Sequence, residues 1–130
     1  MTKKIVFSEK AQAALGPYSQ AVISTAPATV FISGQLGLDP ETGELVSDQF
    51  EGQVRQSMEN LKAVIEAAGG GMGDIVRIGL YLTDLNNFGI ANSVMQELFP
   101  EPYPARSTVE VSALPKGAKF EVDAILALNK

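Results

Sequence analysis

The sequence predicts an α+β sandwich, a mixed sheet with two helices laid on one of its faces. A long stripe of apolar residues at steps of three and four marks one helix, and a shorter stripe marks a second. Alternating or short apolar runs mark strands before, between and after them, in the order β, β, β, α, β, α, β, β. A chain of 130 residues, 45% hydrophobic and 19% charged, is large enough for one core and too small for two. Residues 1–130 are therefore expected to form a single domain.

Ile5 to Phe7 is a short apolar run suited to a first strand, followed by a loop from Ser8 to Gln20 that contains Gly16-Pro17-Tyr18. Ala21 to Ser24 and Thr29 to Ser33 read as strands, and Thr25-Ala26-Pro27-Ala28 between them has the spacing of a hairpin. The chain leaves through Gly34-Gln35-Leu36-Gly37 to a turn at Asp39-Pro40-Glu41-Thr42-Gly43. From Ser47 to Ala68 the residues Phe50, Val54, Met58, Leu61, Ile65 and Ala68 form one helical stripe. Asp48 with Glu51 resembles a capping box, and Gly69 can take the left-handed stop conformation. Asp74 to Leu82 alternates as a strand, with Val76, Ile78, Leu80 and Leu82 on one face and Ile75, Arg77, Gly79 and Tyr81 on the other. Phe88, Ala91, Val94, Met95 and Leu98 mark the second helix, which Pro100 stops. Ser107 to Val111 and Phe120 to Leu128 are the last strands.

With both helices on one face, the other face lacks a cover. Ile75, Tyr81, Ile125 and Ala127 beside Glu121 and Asp123 would be left to water in a monomer. A contiguous apolar patch of this kind marks an interface, so a homo-oligomer is expected.

The missing residues narrow the chemistry. There is no Cys and no His, which removes disulfides, thiolate or imidazole metal sites and every Ser/His/Asp or Cys/His triad. Catalysis is left to carboxylates, Arg, Lys, Tyr, hydroxyls and backbone amides. The net charge of −5, from 15 acidic against 10 basic residues with no basic run, lacks the footprint that nucleic acid or an anionic membrane requires. The start of the chain has no apolar core of a signal peptide, and no run approaches a membrane span, so a cytoplasmic protein is expected.

Gly69-Gly70-Gly71-Met72-Gly73 follows a helix instead of opening one and has no Lys-Ser/Thr pair after it, so it reads as a helix stop and turn, not a phosphate cradle. Asp39 to Glu44 lacks the ligand series of a calcium loop and reads as a surface turn. Arg106, where a loop enters a strand in Pro104-Ala105-Arg106-Ser107-Thr108, either presents its planar fork to a carboxylate ligand or pairs with Glu110 or Glu121. Glu121 is either an acid or base buried by oligomerisation or a carboxylate at the rim. Tyr18 after Gly-Pro fits a loop anchor packed on the core.

Five stretches carry a resemblance: Gly16-Pro17-Tyr18-Ser19-Gln20-Ala21; Ile32-Ser33-Gly34-Gln35; the helix from Gln56 to Gly69; Pro104-Ala105-Arg106-Ser107 with Leu114-Pro115; and Glu121-Val122-Asp123-Ala124-Ile125. In this order, over essentially the whole chain, they resemble the Rid family, the YjgF/YER057c/UK114 group, and within it the imine deaminases. The resemblance implies a chorismate-mutase-like sandwich with a mixed six-stranded sheet. It implies a homotrimer whose sheets pack inward, with sites in clefts between subunits. It implies hydrolysis of 2-imino acids such as 2-iminobutanoate and 2-iminopropanoate to 2-keto acids and ammonia, without metal or cofactor. That activity protects pyridoxal-phosphate enzymes from 2-aminoacrylate.

Matched residue by residue, the resemblance makes Arg106 the clamp on the substrate carboxylate and Glu121 the group that activates water, with Tyr18 nearby. Ser33 and Gly34 match a strand end that meets the ligand, and Asn92 a helix position close to it. Thr108 stands where the family often has Cys, which removes thiol chemistry from that position. The reaction suits this inventory, since a protonated imine is already electrophilic and one carboxylate can move both protons. Two other readings remain open: a sensor that binds keto acids or related carboxylates without turnover, and the RNA-directed role of older family descriptions. The acidic balance and the absence of His weigh against the latter.

Overall fold

The structure, a computed structural model, describes residues 2–129. Its strands are β1 (Lys3–Val6), β2 (Ala21–Ser24), β3 (Ala28–Leu36), β4 (Ile75–Leu82), β5 (Ala105–Glu110) and β6 (Phe120–Leu128), and its α-helices are α1 (Phe50–Ala67) and α2 (Phe88–Leu98). The element order is the expected one. The six strands do not, however, make one continuous sheet. β3, β6, β4 and β5 form a mixed four-stranded sheet in that order, while β1 and β2 pair with each other. One bridge joins the two sheets, where the Ser19 N–H donates to the Pro104 carbonyl at 2.9 Å. Pro104 has no N–H with which to carry this parallel ladder further toward Pro17.

β4 and β5 run parallel and the other pairs are antiparallel. The hairpin expected between β2 and β3 is instead the pair β1–β2, with Lys3 opposite Ser24. The Thr25 N–H bonds to the Thr2 carbonyl at 2.9 Å, so the end of β2 is committed to β1, and Pro27 has no N–H with which to close a turn onto β3.

Both helices cover the same face of the four-stranded sheet. The α1 stripe of Val54, Met58, Leu61 and Ile65 and the α2 residues Ala91, Val94 and Met95 share one core with Ile78, Leu80, Leu82, Val122 and Leu126. Burying a side chain of this size stabilises the fold by about 1.5–3 kcal/mol, so the four α1 residues together contribute about 6–12 kcal/mol before the cost of ordering the chain. At its C-terminus the Gly70 N–H reaches the Ile65 carbonyl and the Gly69 N–H the Glu66 carbonyl, both at 3.0 Å. Gly69 sits at φ 93°, the left-handed stop expected of it. The expected capping box is not formed. The helix starts at Phe50, two residues past Asp48, because the Ser47 hydroxyl takes the Gln49 N–H and the Gln53 amide bonds back to the Ser47 carbonyl.

The uncovered face also differs from expectation at two positions. A bulge at Val76 shifts the register between Ile75 and Arg77. It turns Ile75 into the core beside Ile78, where strict alternation would have put it on the open face. Ala127 is fully buried, whereas Tyr81, Ile125, Glu121 and Asp123 remain half-buried. Phe31, opposite Ile125 on the edge strand β3, is 77% exposed, so a large apolar side chain lies open on this face.

Candidate active site

β5 enters the sheet at Ala105 and aligns Arg106 with Ile78 of β4. Cross-strand partners share a face, so Arg106 points toward the helix layer, as Ile78 does. Asn92 waits there one turn into α2, and its Oδ1 accepts from Arg106 Nη1 at 2.6 Å. Phe88, four residues earlier on the same helix face, lies 5.4 Å from the guanidinium carbon, and the Tyr18 ring lies 4.8 Å from it. The loop that brings Tyr18 is stapled by Gln20, whose amide donates to the carbonyls of Gln12 (2.7 Å) and Ser8 (3.1 Å) and accepts from the Ser8 N–H (2.7 Å). The Tyr18 hydroxyl takes the Leu15 N–H at 3.2 Å. Gly16 lies against Asn92 and Arg106, since a Cβ there would sit 3.4 Å and 3.5 Å from their nitrogens.

Arg106 has no carboxylate partner among the described residues, so the ion pair with Glu110 or Glu121 is not made. Glu110 instead caps the Leu85 N–H at 2.9 Å. Burial pulls the guanidinium below the usual arginine value, with Tyr18 acting in the opposite sense. The cation faces a cleft of about 300 Å³ lined by Gln12, Leu15, Tyr18, Phe88, Arg106 and Thr108. The Thr108 Oγ1 is buried there with no hydrogen-bond partner among the described residues. An unpaired buried hydroxyl costs on the order of 1–3 kcal/mol, so it offers a ready contact to a polar ligand.

The other expected residues form a second cluster. β3 bulges at Ser33 and Gly34, between Ile32 and Gln35, opposite Asp123 of β6 and against the side-chain carboxylate of Glu121. Gly34 lies so close to this carboxylate that a Cβ there would come 2.7 Å from the Glu121 Cδ. Burial first, and the nearby Asp123 second, push the Glu121 carboxyl above the usual carboxylate range.

The two clusters do not meet within one chain. Glu121 pairs with Tyr81 on the open face, Arg106 faces the helices, and β4 lies between their strands. Arg106 is level with Ala124 through Ile78, three residues along β6 from Glu121. Two strand spacings and three residue rises put their Cα atoms roughly 14 Å apart, with side chains on opposite faces. Within one chain the Arg106 guanidinium without a carboxylate partner and the Glu121 carboxyl with a raised proton affinity thus stand apart.

Phe88 and Gln20 join the site only in the fold: the sequence places Phe88 in the α2 core stripe, where its spacing of four from Asn92 is the one signal of a site role, and Gln20 carries none. A larger cleft of about 450 Å³ beside Gly34, Leu38, Pro40 and Asn60 has no basic side chain in its lining, so it lacks an anchor of this kind. Among the described residues no cluster of three or more Asp or Glu is placed to hold a metal ion, and no helix is long and apolar enough to cross a membrane.

Fold and site define the class: an α+β protein whose small cleft is lined by one arginine without a carboxylate partner among the described residues. The chain belongs to the Rid family, whose endoribonuclease L-PSP description matches residues 8–128. It is 45% identical to a RutC family protein of Pyrococcus abyssi, over 96% of this chain and 97% of that one. It is 40% identical to the 2-iminobutanoate/2-iminopropanoate deaminase of Dermatophagoides farinae, over 98% of each chain. The crystal structure of RidA from an Antarctic Psychrobacter species superposes with a TM-score of 0.76 at 48% identity, over 96% of this chain and 99% of that one.

Proposed function

We propose that this protein hydrolyses reactive 2-imino acids, such as 2-iminobutanoate and 2-iminopropanoate, to 2-keto acids and ammonia, at sites built between the chains of a homotrimer. The observation that carries the reading is the unpaired Arg106 fork, held by Asn92 and stacked between Tyr18 and Phe88 at the wall of a small cleft. A half-buried cation without a counter-ion suits an anionic ligand, and a planar fork takes a carboxylate through two parallel hydrogen bonds. The deaminase name of the Dermatophagoides relative agrees with it.

Arg106 fixes the substrate carboxylate and so orients the adjacent iminium carbon. The Glu121 carboxylate of a neighbouring chain takes a proton from water as the water oxygen bonds to that carbon and the C=N electron pair moves to nitrogen. Glu121 then returns the proton to nitrogen. The C–N bond breaks as the carbinolamine O–H becomes a carbonyl, its proton passing to the same carboxylate. Glu121 gives this last proton to the departing ammonia, so that iminium and water give keto acid and ammonium and the carboxylate is regenerated. A carboxyl with raised proton affinity is suited to accepting and returning these protons. Ser33 and Gly34 border this half-site, Tyr18 walls the other, and the orphaned Thr108 hydroxyl is left for a polar atom of the ligand. Removal of such imines protects the pyridoxal-phosphate enzymes they would damage.

The test is keto acid formation from 2-iminobutanoate, generated in place by a threonine dehydratase, with a trapping amine competing for the imine. Wild type accelerates release and Arg106→Ala does not. No acceleration by the folded wild-type oligomer would reject the deaminase in favour of a carboxylate sensor.

A further inference from the structure

Beside Glu121 on the open face lies a pair of residues that the reaction above does not use. Asp123, two residues along β6 and therefore on the same face, accepts a hydrogen bond from the Tyr81 hydroxyl at 3.0 Å. Tyr81 is itself the direct cross-strand partner of Glu121 on β4. The residue opposite Asp123 is Gly79. A Cβ at Gly79 would stand 2.5 Å from Asp123 Oδ1 and 2.8 Å from the Tyr81 hydroxyl, so the absence of a side chain there is what lets Tyr81 reach Asp123 across β4. Three positions on two strands are thus fitted to fix one carboxylate next to Glu121.

We propose that Asp123, clamped by Tyr81 over Gly79, is a positioning residue that keeps a negative charge beside Glu121 and thereby tunes it as a proton shuttle. The proposal rests on the reading of Glu121 as the acid and base of imine hydrolysis. A neighbouring like charge makes a carboxylate hold its proton more tightly, and acid–base catalysis is most effective when that affinity lies near the working pH. Asp123 acts on Glu121 in this sense, after burial, and burial with the bond to Asp123 also pushes the Tyr81 phenol up.

Among the described residues of the chain no cation offsets the action of Asp123 on Glu121. On β3 its neighbours Leu36, Ser33 and Gly34 carry no charge. On β4 the cation Arg77 lies opposite Ile125, diagonal to Asp123 and close enough to act on the Tyr81 phenol, but four residues along β6 from Glu121, whose raised proton affinity it does not offset. Lys119, just before β6, spends its amine on the Asp48 carbonyl at 2.7 Å.

The experiment is the pH profile of kcat/KM for keto acid release by the intact oligomer. Asp123→Asn keeps the shape and an acceptor for Tyr81 but removes the charge. It moves the acidic limb to lower pH and leaves KM at the plateau within about twofold of wild type. Asp123→Glu retains the charge and keeps the limb near its wild-type position. Tyr81→Phe frees the Asp123 carboxylate without altering β6 and moves the limb in the same direction as Asp123→Asn; it carries the test if Asp123→Asn does not fold. An acidic limb that stays in place in these variants, or that moves alike in Asp123→Asn and Asp123→Glu, overturns the proposal. Turnover that survives Glu121→Gln would instead overturn the reading of Glu121 itself.

Discussion

Arg106→Lys isolates geometry from charge. Lysine keeps one positive charge on a stem of comparable length, but it offers a point donor where arginine offers a fork. In the wild type Nη1 is tied to Asn92 Oδ1 at 2.6 Å, and the plane is fixed by Tyr18 at 4.8 Å and Phe88 at 5.4 Å. The remaining guanidinium edge is therefore presented to the cleft in one orientation. Lysine retains one of the two charge-assisted hydrogen bonds to a carboxylate and cannot also hold Asn92. Losing one such bond costs about 1.5–3 kcal/mol, which is roughly a 10- to 150-fold fall in kcat/KM. The assay is keto acid release from 2-iminobutanoate generated in place, at several imine fluxes, with circular dichroism confirming the fold. A variant within twofold of wild type would refute the argument that a fork recognises the substrate.

Three further predictions follow from particular contacts. Gly34→Ala puts a methyl group against the Glu121 carboxylate; the flexible acid swings aside, so melting changes little while turnover falls about 100-fold or more, the scale of acid–base catalysis. Because the folded state holds the Glu121 proton more tightly than an unfolded chain does, the ionised carboxylate costs stability once pH has risen through its folded value and costs none below the ordinary carboxylate range. Glu121→Gln therefore melts higher than wild type at pH 8, with the gap closing toward pH 4 in thermal scans; equal melting at pH 8 would deny the unfavourable setting of that charge. Gly69→Ala forces a Cβ into a residue at φ 93° and lowers stability by about 1–2 kcal/mol in urea unfolding, and an unchanged midpoint would contradict the assignment of that helix stop.

What could be read from the sequence was what depends on local period and chain chemistry. The α1 stripe, its glycine stop and the alternation of β6 from Phe120 to Leu128 each follow from residues within a few positions of one another. Strand pairing is set by distant partners, which is why β2 turned out to pair with β1 and not with β3. The Val76 bulge inverted the face of Ile75 because one inserted residue reverses a period of two, and nothing in the run Ile75-Val76-Arg77 announces it. In the site, Arg106, Glu121 and Tyr18 stood out by residue type. Phe88 hid among core aromatics, and the Tyr81–Asp123 clamp depended on a β4–β6 register that only the fold supplies. The separation of Arg106 from Glu121 is likewise a matter of sheet faces, and it is the reason the proposed reaction draws on a second chain.

The most direct measurement is therefore complementation between chains. Arg106→Ala and Glu121→Gln, each inactive alone, are unfolded together and refolded at equal ratio, and keto acid release is compared with wild type treated in the same way. If every site takes Arg106 from one chain and Glu121 from the next, random assembly restores both groups at roughly a quarter of the sites in a closed ring, and about that fraction of activity returns. A refolded mixture that forms mixed oligomers yet stays as inactive as its parents would contradict a site shared between chains.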